Sequence, residues 1–197
     1  DPDPRAPGQG HARPAAVGTG AAGATADHAH TTHLCVVDAE RTMVALTTTL
    51  GQGFGSGVVA RGTGIVLADV MTWFDPVPGR PNSIGPGKRI LWAPAPAVVA
   101  RGGAPFAAVG APGGRKLITA VLQTLVNLVD YGDGPQAAVN RPRVHSEGRE
   151  TWLDARVPSS VRDALAAMGH ELVVKEETLS STWFGRPNAI VVDGDVL

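Results

Sequence analysis

An abrupt change of composition near residue 30 limits what this chain can fold into. Residues 1 to about 30 are rich in Pro, Gly and Ala and hold hardly any large apolar side chain. Such a segment cannot bury enough surface to offset its ordering entropy, so it reads as a flexible tail or linker. From His33 onward the chain turns apolar and β-branched. His33-Leu-Cys-Val-Val-Asp38 and Met43-Val-Ala-Leu-Thr-Thr-Thr-Leu50 read as two strands joined by the short polar stretch Ala39-Glu-Arg-Thr42. The folded unit is expected over residues 31–197.

Further strands are expected at Gly64–Asp69, Ala97–Arg101 and Pro105–Ala111, the last two separated by the hairpin signal Gly102-Gly103. From Gly114 to Tyr131 the residues Ile118, Val121, Leu122, Leu125, Val126 and Val129 recur at helical spacing, and Gly132 follows as a stop. A second helix is expected from about Pro158 to Met168, and Pro135–Asn140 reads as a short helical turn. Strands are also expected at Thr151–Ala155, Glu171–Lys175 and Asn188–Asp193. The inventory is α+β, with helices covering sheet.

Bulk properties remove some functions. The chain has 197 residues, one domain's worth, and a net charge of −1 without a run of either sign. A nucleic-acid binder would carry a basic face. A single cysteine, Cys35, rules out a disulfide within the chain and a multi-cysteine zinc site, and it reads as a small core residue on a strand. No stretch is long and apolar enough to cross a membrane. The chain begins at Asp1 without an initiator Met, which reads as a fragment or a processed product.

Three features carry possible chemistry. Thr31-Thr32-His33 lies where the tail meets the first strand. A threonine hydroxyl is a poor nucleophile without a base beside it, and making Thr31 the first residue would supply its own α-amine. That requires a cut between His30 and Thr31; a plain strand start is the competing reading. Pro112-Gly113-Gly114, between a strand and the long helix, suits an oxyanion hole built from backbone N–H groups at a helix N-terminus. A tight strand-to-helix turn explains it equally. His28, His30 and His33 lack a carboxylate spaced to complete a metal site and read as solvated residues, so no metal or cofactor is expected.

In this order the pieces resemble the small catalytic subunit of the γ-glutamyltransferase family. The matching stretches are Thr31-Thr-His-Leu-Cys-Val-Val-Asp38, Thr47-Thr-Thr-Leu50 with Phe54-Gly-Ser-Gly57, and Gly64-Ile-Val-Leu67. They continue with Pro86-Gly-Lys-Arg89, Gly110-Ala-Pro-Gly-Gly114, Ile118-Thr-Ala-Val-Leu-Gln123 and Ala138-Val-Asn-Arg-Pro-Arg143. The resemblance covers residues 31 to 197, and family members continue past Leu197. It implies an N-terminal-nucleophile hydrolase fold, a four-layer αββα sandwich. It implies that the precursor cuts itself before Thr31, which then attacks small-molecule amide or acyl substrates through an acyl-enzyme. Thr49 would tune Thr31, and the N–H groups of Gly113 and Gly114 would form the oxyanion hole. Residues 1–30 would be the end of a large subunit from the same precursor, which completes the pocket as a partner.

The same comparison exposes a departure. Family members grip the glutamyl head group with an Asn two residues beyond the position of Thr49, a Gln and an Asp in an Asn-Asn-Gln-Met-Asp-Asp-Phe stretch, and a Ser-Ser pair. Here those places hold Gly51, Val70, Trp73 and Trp92-Ala93. A zwitterionic head group would lack partners there, and unpaired buried charge is costly. A flatter, more aromatic or apolar substrate suits Trp73 and Trp92. The family includes acylase-like members and homologues of antibiotic pathways, which hydrolyse atypical bonds. A biosynthetic role would favour a cytoplasmic location. A conventional glutathione hydrolase, and an unprocessed member that binds without catalysing, are the alternatives.

Overall fold

The computed structural model describes residues 30–194. The linker expected up to about residue 30, with His28, lies outside these except for His30 itself. The elements are β1 (Thr31–Val37), β2 (Met43–Thr49), a 3-10 turn (Val70–Trp73), β3 (Ala97–Arg101), β4 (Ala104–Gly110), α1 (Lys116–Val129) and α2 (Pro135–Asn140). They continue with β5 (Val144–Ser146), β6 (Glu150–Asp154), α3 (Ser159–Ala167), β7 (Glu171–Lys175) and β8 (Asn188–Val191).

Three sheets form: the hairpin β1-β2, an antiparallel β3-β4-β8 sheet, and β5-β6-β7, in which α3 connects the parallel pair β6 and β7. Alternation along β4 explains how the layers stack. Ala107 and Val109 join Leu117, Ala120, Val121 and Leu128 of α1 in one buried cluster. On the other face, Gly110 meets the ring of His33 on β1. The β4 strand is thus covered on both sides, by α1 and by the hairpin. Pairing of β1 with β2 is fixed at its turn, where Asp38 accepts the N–H of Thr42 on its side chain at 2.7 Å and the N–H of Arg41 on its carbonyl at 3.0 Å. The outward face of the hairpin carries Leu34, Val36, Val44 and Leu46, each exposed.

Two expectations are corrected. Gly64–Asp69 is not a strand: Val66 makes one isolated bridge to Val59, and the segment folds back on residues 58–60 as a local loop. With only that short arm beside it, no ladder can propagate. The apolar stripe read along α1 is rotated from the buried one, since Ile118, Leu122 and Val129 are exposed while Leu117, Ala120, Thr124 and Leu128 are buried. Small and hydroxyl-bearing residues supply part of the packing face. The three-residue β5 was not anticipated, because it is too short for any periodicity and depends on pairing with β6. No helix among the described residues is long and apolar enough to cross a membrane.

A Cβ at Gly110 would lie 2.0 Å from Cε1 of His33, so the hairpin and β4 can approach only if residue 110 lacks a side chain. Gly110→Ala is expected to destabilise the fold by about 1–3 kcal/mol through overpacking, read as a lowered thermal midpoint in differential scanning calorimetry.

Candidate active site

Register places the two threonines together. Thr31 opposes Thr49 at the open end of the hairpin, and both lie on its inner face. The Thr31 hydroxyl donates to Thr49 Oγ1 at 3.1 Å. Thr49 Oγ1 also accepts the N–H of Gly51 at 3.0 Å and donates to the carbonyl of His30 at 3.4 Å. Its one proton and two accepting positions are therefore committed. Thr49 thereby links the Thr31 hydroxyl to the carbonyl of the peptide bond that precedes it.

Behind this pair, the inner face holds a second hydroxyl and a ring. His33 Nδ1 lies 2.7 Å from Thr47 Oγ1, and Nε2 lies 3.2 Å from Cys35 Sγ. The Cys35 thiol donates to Asn188 Oδ1 at 3.4 Å, so Sγ is the acceptor toward His33. The consistent assignment is a neutral imidazole with its proton on Nε2 and Nδ1 accepting from Thr47. Burial lowers the His33 pKa and raises that of the Cys35 thiol. The solvated reading of His33 is corrected: it is buried against Gly110. Among the described residues, no group of three or more His, Cys, Asp or Glu is placed to hold a metal.

A cleft of about 670 Å³ opens beside Thr31. Of the residues singled out in the sequence, Thr31, Gly51, Trp73, Ala93 and Gly114 line it. Thr49 sits just behind Thr31 through its hydrogen bond, and Trp92 stacks on Trp73 with ring centroids 5.3 Å apart, tilted by 52°. Trp92, Val70 and Gly113 do not line the cleft. Gly113, at φ +140°, is pressed against another backbone: a Cβ there would come within 2.6 Å of Gly185 Cα. The Arg186 N–H donates to the Pro112 carbonyl at 3.0 Å, and Phe184, next to Gly185, is buried. Gly114 therefore presents the N-terminal approach to α1 to the cleft, with Gly113 holding the turn.

The opposite wall was missed. His145 and Glu147 line the cleft together with Arg115, Lys116 and Trp152. His145 Nε2 is 3.0 Å from Glu147 Oε1, and its Nδ1 is 2.8 Å from Thr119 Oγ1. The signal lay in His145-Ser-Glu147 following Arg143, but nothing local in the sequence ties β5 to the start of α1.

A family model described as gamma-glutamyltranspeptidase matches residues 6–197. The chain belongs to that family. The acylase ACY 1 proenzyme of Pseudomonas sp. (strain V22) is 41% identical over 147 residues, covering 75% of this chain and 26% of the relative. The glutathione hydrolase proenzyme of Bacillus subtilis subsp. natto is 37% identical over 141 residues, covering 71% of this chain and 24% of the relative. This chain thus spans about a quarter of the length of those relatives. Among solved structures, a highly active mutant of gamma-glutamyltranspeptidase from Pseudomonas nitroreducens matches with TM-score 0.69 at 34% identity, over 84% of this chain and 90% of that one. Cephalosporin acylase from Bacillus halodurans matches with TM-score 0.71 at 30% identity, over 82% of this chain and 30% of that one. The fold of this gamma-glutamyltranspeptidase family member is the α+β N-terminal-nucleophile hydrolase fold.

Burial of neutral His33 has a pH consequence. Its folded pKa lies below the ordinary value of about 6.5, so the unfolded chain takes up a proton first as pH falls. The stability it contributes is complete above that value and is lost as pH falls through and below it. Denaturant midpoints measured from pH 8 down to pH 5 are expected to fall in this window, and His33→Gln to flatten that part of the slope.

Proposed function

We propose that the chain is the catalytic part of a self-processing N-terminal-threonine hydrolase or acyltransferase with Thr31 as nucleophile. The observation carrying this reading is the bond from Thr31 to Thr49, set against the His30 carbonyl at the edge of the cleft. In self-cleavage, Thr31 Oγ1 attacks the His30 carbonyl carbon and the C–N bond to Thr31 breaks. The hydroxyl proton passes to the departing nitrogen, which becomes the free α-amine of Thr31, and water then opens the resulting ester to a His30 carboxylate and the restored Thr31 hydroxyl. That amine then serves as base when the hydroxyl attacks an amide or acyl substrate. Gly114, with Gly113 behind it, is the proposed source of oxyanion N–H donors.

A large subunit from the same precursor is the proposed partner. The exposed apolar face formed by Leu34, Val36, Val44 and Leu46 favours a further layer over the hairpin. Relatives named as proenzymes, each several times longer than this chain, favour it too.

The substrate is proposed to carry an aromatic or apolar acyl group. Trp73, backed by Trp92, lines the cleft beside Leu91, Ala93 and Pro94, while Gly51 leaves no side chain next to the nucleophile pair. Val70 lies on the same 3-10 turn as Trp73. A glutamyl ammonium would meet indole there instead of carboxylate. The second reading, a conventional glutathione hydrolase, is favoured by the glutathione hydrolases among the relatives.

Intact mass spectrometry of the full-length protein is expected to give a small chain beginning at Thr31, and Thr31→Ala to remain uncut. A new N-terminus at any other residue overturns the assignment, and an uncut wild-type chain points to a member that binds without catalysing. In anilide assays, phenylacetyl-p-nitroanilide is expected to exceed γ-glutamyl-p-nitroanilide in kcat/KM by about tenfold or more. Trp73→Asp should narrow that ratio without stopping self-cleavage. Robust turnover of the glutamyl anilide selects the conventional enzyme.

A further inference from the structure

Gly51 lines the cleft, is buried, and has φ +89°, yet the space a side chain would take is not empty. An ideal Cβ on Gly51 would fall 1.8 Å from Oδ1 of Asp69. That oxygen accepts the N–H of Gln52 at 2.9 Å, and the Asp69 N–H donates to the Leu50 carbonyl at 2.9 Å. Asp69 therefore grips the residues on both sides of Gly51, whose own N–H donates to Thr49 Oγ1 at 3.0 Å. At its other end, the Asp69 carbonyl accepts the N–H and the hydroxyl of Thr72, each at 3.0 Å, in the 3-10 turn that carries Trp73.

We infer that Asp69 is a positioning residue of the active site, acting through the Leu50–Gln52 turn on Thr49 and not on the substrate. This rests on the reading of Thr31 as nucleophile. The Gly51 N–H occupies one of the two accepting positions of Thr49 Oγ1, which leaves the other for the Thr31 hydroxyl. If the turn shifts, the hydroxyl of Thr49 rotates and the proton of Thr31 loses its acceptor. The carboxylate also accounts for glycine at 51, because a side chain there and Asp69 in this position exclude each other. The relevant property of Asp69 is an acceptor oxygen at one place, which asparagine can supply and glutamate or alanine cannot.

The test uses the full-length protein and a probe that needs no knowledge of the substrate. Phenylmethanesulfonyl fluoride is added, and sulfonylation of Thr31 is followed by intact mass. Asp69→Ala is expected to slow labelling at least about tenfold, with Asp69→Asn within about threefold of wild type and Asp69→Glu as slow as Asp69→Ala. In a Thr49→Ala background, Asp69→Ala should cause no further loss, because the two act as one unit. Labelling of Asp69→Ala at the wild-type rate overturns the inference. So does an Asp69→Asn as slow as Asp69→Ala, or losses that multiply in the double variant. Should Asp69→Ala fail to fold by circular dichroism, the Asn and Glu variants decide the matter alone. A wild-type chain that is uncut, or cut and unlabelled, instead fells the nucleophile reading, and this inference with it. That failure is visible before any variant is compared.

Discussion

Everything proposed for this chain depends on the register of one hairpin. The hydroxyls of Thr31 and Thr49 meet because residue 31 of β1 opposes residue 49 of β2 and both side chains face inward. Strand side chains alternate, so a slip of one residue would send one hydroxyl to the opposite face. Two devices hold the register. Asp38 closes the turn through its side chain and its carbonyl. At the next inward pair, His33 and Thr47 are cross-strand partners joined by a 2.7 Å hydrogen bond, and the run continues through Cys35 to Asn188 of β8. A neutral, buried imidazole thus ties the hairpin to the sheet beneath it, two residues from the threonine pair.

The second side of the site is built by backbone packed against backbone. Gly113 turns the chain out of β4 at φ +140°, and because it lacks a side chain the Gly185 backbone, next to buried Phe184, can pack against it. The approach to α1 is thereby pinned beside the cleft that Thr31 also lines. A helix N-terminus offers N–H groups without intrahelical partners, so rigid placement is what such a site requires. No charged side chain is needed for this.

Much of the frame was legible because it rests on local signals. The apolar, β-branched runs of β1 and β2, the glycine pair between β3 and β4, and the proline and glycine that bracket α3 gave elements and near-correct limits. What stayed hidden was set by tertiary contacts. In α1 the packing face uses Ala120, Thr124 and Asn127, which no hydrophobic count would choose over Ile118 and Leu122. Val66 has β propensity but only a single bridge partner, so Gly64–Asp69 stays a loop. The sequence blocks name Thr31, Thr49 and Gly114, which the fold brings together at the cleft or just behind it. His145, Glu147 and Trp152 were missed, because only the pairing of β5 with β6 beside α1 brings them to the cleft.

Under the proposed function, recognition and chemistry would be carried by different kinds of structure, so that one could change while the other stays. The hydroxyl pair sits on strands whose register is over-determined. Trp73, Trp92 and Ala93 sit on the long connection between β2 and β3, which holds a 3-10 turn and isolated bridges but no strand. Substituting residues on such a connection alters few buried contacts. Independence ends at Asp69, where the connection folds back and takes hold of the turn beside Thr49. Changes that move Trp73 alone can alter what the cleft accepts. Changes that move Asp69 must pass through Gly51 to the threonine pair, and for that reason a glycine at 51 and a carboxylate at 69 have to be read as one feature.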